Sequence, residues 1–499
     1  MAATQRPPVG VEEALARIAA VADAPASTQA AQALWRVPLD APVIVHDRAS
    51  GSSWRRDSAT GAALPVVLRN DQPPANTCIT IDGAPAVLLL LPLPGDRDGL
   101  ATLFWHEQWH CVQAALGLPA AEGDTAHLDG EAGRTALRLE MRALAQALST
   151  RDEHQARQHA AAALGYRALR ADAAAPRTRA LEEEAKVERN EGLAEYTGRA
   201  IAAATHGGDA TAAAVGALAK ADASQSFVRS AAYVTGPAYG LLLDRWSPAW
   251  RRGVSAGTTL PALLADALGV TWRGAGIAQN GAGYGVDEVR AEERERAKER
   301  ERRSAGYRER FLGNDAVRLP LRNPSISFDP RSLFPLDDAG TVYTPLTVRD
   351  EWGELTAVSG GLLSRDWALL SVSGGVVDGA GSRWTGPGWT LVLGEGWRLE
   401  RGGDGWGLTK GLGLGVGDPG DAGEGRIGQS NSYDPAGEAE RAHAVGNAGL
   451  RDSHDDHAVL AALPERAAGM RAEQRRGLAF AMLSQLKRVA MDAQVNGEP

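Results

Sequence analysis

Cysteine is scarce in this chain. Only Cys78 and Cys111 occur in its 499 residues. So few cysteines exclude a fold built on a disulfide framework, and they are typical either of a reducing compartment or of a chain that does not depend on disulfides. A chain of this length can bury its own hydrophobic core over two or three domains. Cys111 follows His110 and points about 100 degrees away from it around a helix, so we expect it to be a small core residue.

An excess of positive charge is also absent. The 53 Lys and Arg residues are outnumbered by 62 Asp and Glu residues, which gives a formal net charge of −9 at pH 7. Binding to nucleic acid needs clustered Lys and Arg side chains that neutralise phosphates. The charge balance therefore predicts that nucleic acid is not a partner.

Long hydrophobic runs are missing as well. The most apolar run, Ala86 to Leu93, is far shorter than the roughly 20 residues of a membrane-spanning helix. The first 25 residues contain acidic residues and prolines where a secretory signal would be continuously apolar. We expect a protein without a transmembrane segment and, by default, a cytoplasmic location.

The residue pattern divides the first half of the chain into two regions. Residues 1–34 predict a short helical segment rich in alanine. Residues 35–280 predict one domain that starts with short strands in APVIVHD, LPVVLRN and NTCITIDGAPAVLLLLPLP and continues as long helices. An α-rich α+β domain with a small N-terminal sheet is the expected result.

The residue pattern of the second half differs from that of the first. Residues 281–312 predict a charged helix that links the first domain to a small β-rich domain over 313–410, where apolar and polar residues alternate between glycines. Residues 411–499 predict a flexible tail, which consists of a Gly-rich linker and C-terminal helices.

The segment FWHEQWH, residues 104–110, carries the strongest chemical signal. His106 and His110 are four residues apart, so a helix places both imidazoles on one face, where they can bind one metal ion. Glu107 then lies beside the metal, at the position of a general base that deprotonates a zinc-bound water. The alternative is a pair of core histidines satisfied by polar neighbours.

A catalytic zinc usually has three protein ligands. A third histidine in the extended motif HExxHxxGxxH is missing, since Gln113 and Leu116 occupy the required positions. A carboxylate from another helix is therefore expected, either Glu191 or Glu140. Glu191 is favoured because NEGLAEY also offers Glu195, one turn later, to accept the free ring N–H of a histidine ligand. Gly192 and Ala194 suit close packing of this helix against the HEQWH helix.

HEQWH followed by NEGLAEY resembles the gluzincin metallopeptidases, in particular the thermolysin-like and peptidase-MA-like proteins and a group of predicted bacterial peptidases. The resemblance covers these two segments, which are separated by about 80 residues, far more than in thermolysin. It implies a zincin-like catalytic domain. It also implies zinc ligands His106, His110 and Glu191, a general base at Glu107, and a histidine-orienting carboxylate at Glu195.

Gluzincins commonly use a Tyr or His to stabilise the oxyanion of the reaction. By resemblance, Tyr233 is the preferred candidate, Tyr239 is a close second and Tyr196 is a poorer one. The run AVLLLLPLP is either an edge strand that binds the substrate, as in thermolysin-like folds, or a buried central strand that is apolar on both faces.

These observations predict a zinc metallopeptidase that hydrolyses peptide bonds through a zinc-bound water activated by Glu107, with Tyr233 as a second catalytic residue. The expected cofactor is Zn2+ and the expected partner is a peptide or protein substrate. The alternative is an inactive zincin-like binding or scaffold protein. The pattern carries no information on oligomeric state.

Overall fold

The computed structural model describes residues 7–68, 75–174, 176–271, 281–328, 332–375, 377–402 and 405–410. The tail predicted over 411–499 lies outside this part of the chain. The described residues divide into two compact units, with the division between Gly306 and Tyr307. A helix-rich region is followed by a β-rich region, which confirms the predicted mixed α and β organisation.

The first unit begins with two helices and a five-stranded sheet. The helices are α1 (Val11–Ala22) and α2 (Pro25–Trp35), and the strands are β1 (Val43–Asp47), β2 (Ser52–Arg56), β3 (Ala63–Val66), β4 (Thr77–Ile81) and β5 (Ala84–Leu90). The strand order is β3-β2-β1-β5-β4. Strands β1 and β5 are parallel, and the other neighbouring pairs are antiparallel.

The apolar run before the motif forms the central strand β5. Val87, Leu88 and Leu89 on this strand are fully buried, because β1 and β4 pair with its two edges, Val87 and Leu89 join the main core, and Leu88 joins a second hydrophobic cluster. Strand β4, which comes from NTCITID, lies at the edge of the sheet instead. The edge-strand interpretation of AVLLLLPLP is therefore wrong.

Helices form the remainder of the first unit. They are α3 (Arg97–Val112), α4 (Glu131–Ser149), α5 (Glu153–Ala173), α6 (Arg177–Val187), α7 (Leu193–His206), α8 (Ala210–Ala221), α9 (Ala232–Trp246), α10 (Leu260–Leu268) and α11 (Val286–Leu312), which continues into the second unit. A π-helical turn, Glu188–Gly192, joins α6 to α7 without a break. None of the helices in the described part is long and apolar enough to span a membrane.

Helix α3 contains the HEQWH motif and lies in the middle of this unit. Asp96 is its N-cap residue. The Asp96 carboxylate accepts a hydrogen bond from the Gly99 N–H at 2.6 Å, which satisfies a backbone donor that has no partner within the helix. Leu100, Phe104 and Trp109 on α3 are 0–2% exposed and join the main hydrophobic core. Because apolar groups surround α3, polar side chains on it are buried and need partners.

The charged helix α11 packs against the first unit over its N-terminal half. Val289 and Glu293 are buried there. The Glu293 carboxylate accepts hydrogen bonds from Arg134 at 2.7 Å and Arg138 at 3.0 Å, both on α4. This part of the helix therefore belongs to the helical unit and is not merely a solvated link.

The second unit contains two β-sheets. The six-stranded sheet has the order β14-β15-β16-β11-β10-β7 and the seven-stranded sheet has the order β17-β18-β6-β13-β12-β9-β8. The strands are β6 (Val317–Pro320), β7 (Ser325–Phe328), β8 (Leu333–Pro335), β9 (Thr341–Tyr343), β10 (Leu346–Asp350), β11 (Gly353–Ala357), β12 (Gly361–Leu363), β13 (Leu369–Val372), β14 (Asp378–Ala380), β15 (Arg383–Gly386), β16 (Trp389–Leu393), β17 (Trp397–Gly402) and β18 (Gly405–Lys410). Both sheets contribute to one core, for example Leu319 and Leu370 from one sheet and Leu355 and Leu391 from the other.

Candidate metal centre

His106 and His110 lie one turn apart on α3 and point in the same direction. Their ring centroids are 4.9 Å apart, and their Nε2 atoms are 3.2 Å apart. The side chains are only 2% and 8% exposed. The helical spacing thus brings two imidazole nitrogens together inside the protein.

Glu191 completes the group from the π-helical turn. Its Oε2 atom lies 3.4 Å from His106 Nε2 and 3.7 Å from His110 Nε2. Ligand atoms at about 2.1 Å from a tetrahedral zinc ion are separated from one another by about 3.4 Å. The observed separations fit such an ion. In the part of the chain that the structure describes, no other His, Cys, Asp and Glu side chains form such a group.

The π-helical turn explains how Glu191 reaches the histidines. In a regular helix, Glu184, Glu188, Glu191 and Glu195 would follow one another along a single face. The wider turn at Glu188–Gly192 changes this register. As a result, Glu184 and Glu188 contact buried arginines of α5, whereas Glu191 and Glu195 contact the imidazoles of α3.

Glu195 orients the imidazole of His106 from the side opposite to Glu191. Its Oε2 atom lies 3.1 Å from His106 Nδ1, and its Oε1 atom accepts a hydrogen bond from Arg199 Nε at 2.8 Å. Although burial alone would raise the pKa of Glu195, Arg199 and His106 bring it below its ordinary value. An ionised carboxylate can only accept, so Nδ1 carries a proton, and Nε2 is the nitrogen that a metal ion would bind after displacing the second proton.

The charges around His106 favour an added positive charge. Burial opposes a charged imidazole, but the carboxylates of Glu191, Glu195 and Glu107 outweigh it and raise the pKa of His106 to about 10. A bound cation would occupy the same favourable potential and would replace that proton.

Glu107 is buried beside the group. It is 3% exposed, and its charge contributes to raising the pKa values of both His106 and Tyr233. Its Oε2 atom is buried without a hydrogen-bond partner among the described residues. A buried carboxylate oxygen of this kind is expected where a water or substrate completes the site.

Tyr233 is the candidate tyrosine that contacts the group. Its hydroxyl donates a hydrogen bond to Glu191 Oε2, and its ring stacks on His106 at 5.6 Å between centroids. Burial and the Glu191 charge raise the pKa of Tyr233 well above its ordinary value, so the hydroxyl remains a donor. The hydroxyls of Tyr239 and Tyr196 donate elsewhere, to Glu140 and Asp244 respectively.

The alternative ligand Glu140 lies in a different cluster. It is fully buried, and its carboxylate contacts Arg167, Arg170 and Tyr239. Two guanidinium groups already compensate its charge. The structure thus brings Glu191, and not Glu140, to the histidines.

The packing around α7 differs in detail from the sequence interpretation. Gly192 faces α9, where a Cβ atom on Gly236 would lie 2.4 Å from the Gly192 Cα atom. The close contact with α3 is made by Gly198, where a Cβ atom would lie 2.3 Å from the Thr102 carbonyl oxygen. Small residues on two faces therefore let α7 approach both neighbouring helices.

Cys111 packs, partly buried, against the main core, as expected of a small core residue, but its covalent bond was not predicted. Cys111, which follows the ligand His110, forms a disulfide with Cys78 on β4, with a Cα–Cα distance of 5.2 Å. Pairing is possible because the edge strand β4 lies against α3. The even number of cysteines was the only signal in the sequence, and it does not say that the two residues meet.

Three polar residues at the site were not identified from the sequence. Arg199, which supports Glu195, follows it by four residues. Gln113 follows His110 by three residues and contacts it, and Asn190 precedes Glu191 and contacts its carboxylate. The helical spacings of Arg199 and Gln113 were a usable signal, since side chains three or four residues apart meet on a helix.

No protein-family model matches the chain, and no curated protein or solved structure is significantly similar to it. Its likeness to the gluzincins therefore stays a prediction that depends on HEQWH and NEGLAEY.

Proposed function

We propose that this protein is a zinc-dependent metallopeptidase that hydrolyses peptide bonds. The observation that carries the proposal is the convergence of His106 Nε2, His110 Nε2 and Glu191 Oε2, at separations of 3.2–3.7 Å, in a buried site. Beside this group lies the Glu107 carboxylate, with one oxygen unpartnered among the described residues.

The electronic character of the three atoms supports a bound cation. These three atoms share a positive charge even without a metal, because the pKa of His106 is raised to about 10 and its imidazole is protonated at neutral pH. Without that proton, two imidazole lone pairs and a carboxylate oxygen would repel one another, so a cation that displaces the proton would take over its role. Nitrogen and oxygen donors at tetrahedral spacing suit zinc. Three protein ligands leave one coordination position open, which is typical of catalytic rather than structural zinc sites.

Zinc bound here would supply a Lewis acid that polarises the scissile carbonyl and acidifies a water molecule. Glu107 would accept the proton of the attacking water and deliver it to the leaving amine. Its burial keeps competing water away and its unpartnered oxygen is free to take that proton.

Tyr233 would stabilise the developing oxyanion. Its pKa is raised, so its hydroxyl remains protonated, and it lies against the Glu191 oxygen that faces both imidazoles. A neutral donor at this position can hydrogen-bond the carbonyl oxygen as negative charge grows on it, an effect worth several kcal/mol in such sites.

The edge strand β4 supports a peptide as the substrate. Among the described residues it is the last strand of the sheet, beside β5, and the Cys78–Cys111 disulfide ties it to α3 next to His110. An extended peptide can add to the outer strand of a sheet through backbone hydrogen bonds, whatever its side chains. For location we propose an oxidising compartment rather than the cytoplasm, because disulfides persist there.

One observation favours the alternative of an inactive binding or scaffold protein. His106, Glu107, Glu191 and Tyr233 are only 2–5% exposed, so a substrate needs an opening of the site that a scaffold would not need. Turnover therefore separates the two proposals.

The test is metal analysis of the purified protein, followed by cleavage of a broad peptide library. We expect about one zinc per chain in the wild type and in Glu107→Gln, and loss of zinc in His110→Ala. The wild type should cleave peptides and Glu107→Gln should not. Zinc in the purified protein without any peptide cleavage favours the inactive binding protein. Absence of zinc in the wild type contradicts both the zinc peptidase and a zinc-binding protein without activity.

A further inference from the structure

We propose that Gln113 and Asn190 are positioning residues that hold His110 and Glu191 in their metal-binding forms through a one-way hydrogen-bond chain. The inference rests on the metal centre of the proposed function. His110 Nδ1 lies 3.2 Å from Gln113 Oε1. Gln113 Nε2 donates to Asn190 Oδ1 at 3.0 Å, and Asn190 Nδ2 donates to Glu191 Oε1 at 3.0 Å.

The chain has only one consistent direction. A carboxylate can only accept, so the amide nitrogen of Asn190 must face Glu191. The amide oxygen of Asn190 then faces Gln113 and accepts from its nitrogen. The remaining atom, Gln113 Oε1, therefore accepts from His110. Reversed amides would bring oxygen against oxygen at Glu191.

This direction fixes the tautomer of His110. Because Gln113 Oε1 accepts, the proton of the neutral imidazole is on Nδ1 and the lone pair is on Nε2. The Nε2 atom is the one that lies 3.2 Å from His106 Nε2 and 3.7 Å from Glu191 Oε2. The amide of Gln113 thus selects the form of His110 that can bind a metal.

The other end of the chain orients Glu191. Asn190 engages Oε1, whereas Oε2 is the oxygen 3.4 Å from His106 Nε2. The carboxylate is therefore held with one oxygen toward the imidazoles and the other toward the protein. The side-chain amides of Gln113 and Asn190 therefore orient both His110 on α3 and Glu191 on the π-helical turn.

The two histidines are supported in different ways. His106 depends on the ionised Glu195 and its partner Arg199, whereas His110 depends on a neutral chain. Gln113 and Asn190 are only 3% and 8% exposed, and hydrogen bonds in such a low-dielectric setting hold their geometry well. A neutral chain adds no charge to a site that already holds three carboxylates.

The experiment compares zinc affinity in Gln113→Met and Gln108→Met by competition with a chromophoric chelator. Gln108 is a matched control, because it is buried on the same helix and makes two hydrogen bonds to the backbone of Ala41, at 2.9 and 2.8 Å. We expect affinity to fall about 10- to 100-fold in Gln113→Met, as for other partners of metal ligands. Affinity in Gln108→Met should match the wild type.

A spectroscopic readout tests positioning directly. With Co2+ in place of zinc, Gln113→Met should shift the visible absorption bands because the imidazole of His110 turns, and Gln108→Met should keep the wild-type bands. Asn190→Leu should likewise lower zinc affinity and shift the Co2+ absorption bands. It is the variant to use if Gln113→Met does not fold.

The outcomes are distinguishable. Wild-type affinity and spectra in Gln113→Met and Asn190→Leu would overturn the inference and leave the metal centre intact. Lack of zinc binding by the wild type would overturn the metal centre itself.

Discussion

Glu188 and Glu191 are three residues apart on one continuous helical segment, yet their carboxylates belong to two different buried networks. Glu188 accepts a hydrogen bond from Arg167 at 2.5 Å, whereas Glu191 faces the imidazoles of His106 and His110. The π-helical turn at Glu188–Gly192 is the physical reason, since it changes the helical register between the two glutamates. One network pairs its carboxylates with the guanidinium groups of Arg167 and Arg170, and the other leaves room for a cation.

This relationship predicts opposite effects of one chemical change. Glu191→Gln should lose zinc, because a neutral amide is a poor ligand beside two imidazoles. Glu188→Gln should keep zinc and lose about 1–3 kcal/mol of unfolding free energy, since it weakens a buried hydrogen bond. Zinc content and urea unfolding measure the two effects. Equal zinc loss in both variants would contradict the separation of the networks.

Helix α7 must approach α3 closely to bring its carboxylates to the histidines. A Cβ atom on Gly198 would lie 2.3 Å from the Thr102 carbonyl oxygen. We expect Gly198→Ala to push the helices apart, to destabilise the fold by about 1–3 kcal/mol and to weaken zinc binding.

The control for this change is Gly216→Ala on α8. A Cβ atom there meets nothing within 4 Å, so the variant should be unchanged or more stable by up to about 1 kcal/mol, because Ala is the better helix former. Thermal unfolding and zinc titration compare the two variants. Equal stability and equal zinc affinity of Gly198→Ala and Gly216→Ala would contradict a close contact between α7 and α3 at Gly198.

The Cys78–Cys111 disulfide should stabilise the first unit. It joins residues 33 apart in sequence, a loop for which the chain-entropy model gives roughly 3–4 kcal/mol. Reduction of the wild type should therefore lower the free energy of unfolding by about that amount. The double variant Cys78→Ser, Cys111→Ser should unfold equally with and without reductant. Two free thiols in the unreduced, denatured protein would show that the bond does not form.

The arginine cluster beside the metal centre should be critical for stability. Arg170 contacts both Glu140 and Glu184, and all three side chains are buried. Arg170→Met leaves buried carboxylates undercompensated, so we expect a loss of about 3–5 kcal/mol. Replacement of the exposed Arg294, which is 63% exposed, should change stability by less than about 0.5 kcal/mol.

Glu184 in this cluster predicts part of the pH dependence of stability, and Glu188 acts in the opposite direction because burial raises its pKa. Although burial alone would raise the pKa of Glu184, Arg170 and Arg167 lower it well below its ordinary value. A lowered pKa in the folded state gives stability that is present above the unfolded value of about 4.3 and lost as the pH falls below it. Unfolding measured between pH 7 and pH 3 should show this loss in the wild type. Arg170→Met should show a smaller dependence, and an equal one would contradict the assignment.

The sequence alone determined the features that depend on local spacing. The four-residue spacing of His106 and His110 requires a shared helical face once α3 forms, whatever surrounds it. The β-branched and apolar runs likewise predicted β1, β3, β4 and β5 of the small sheet, since alternation and turn residues act over a few positions. They did not predict β2, because SSWRR is not such a run. The separation of Glu191 from Glu195 pointed to a paired role for the same reason.

Only the tertiary structure decided which buried charges meet. Glu191 and Glu140 both lie on helices with apolar faces, and the choice between them depends on where Arg167 and Arg170 of α5 pack. The pairing of Cys78 with Cys111 likewise depends on the edge strand β4 lying against α3. Local sequence fixes the period of each element, whereas burial of the whole core sets the register and neighbours of the elements, and thereby the partner of every buried polar group.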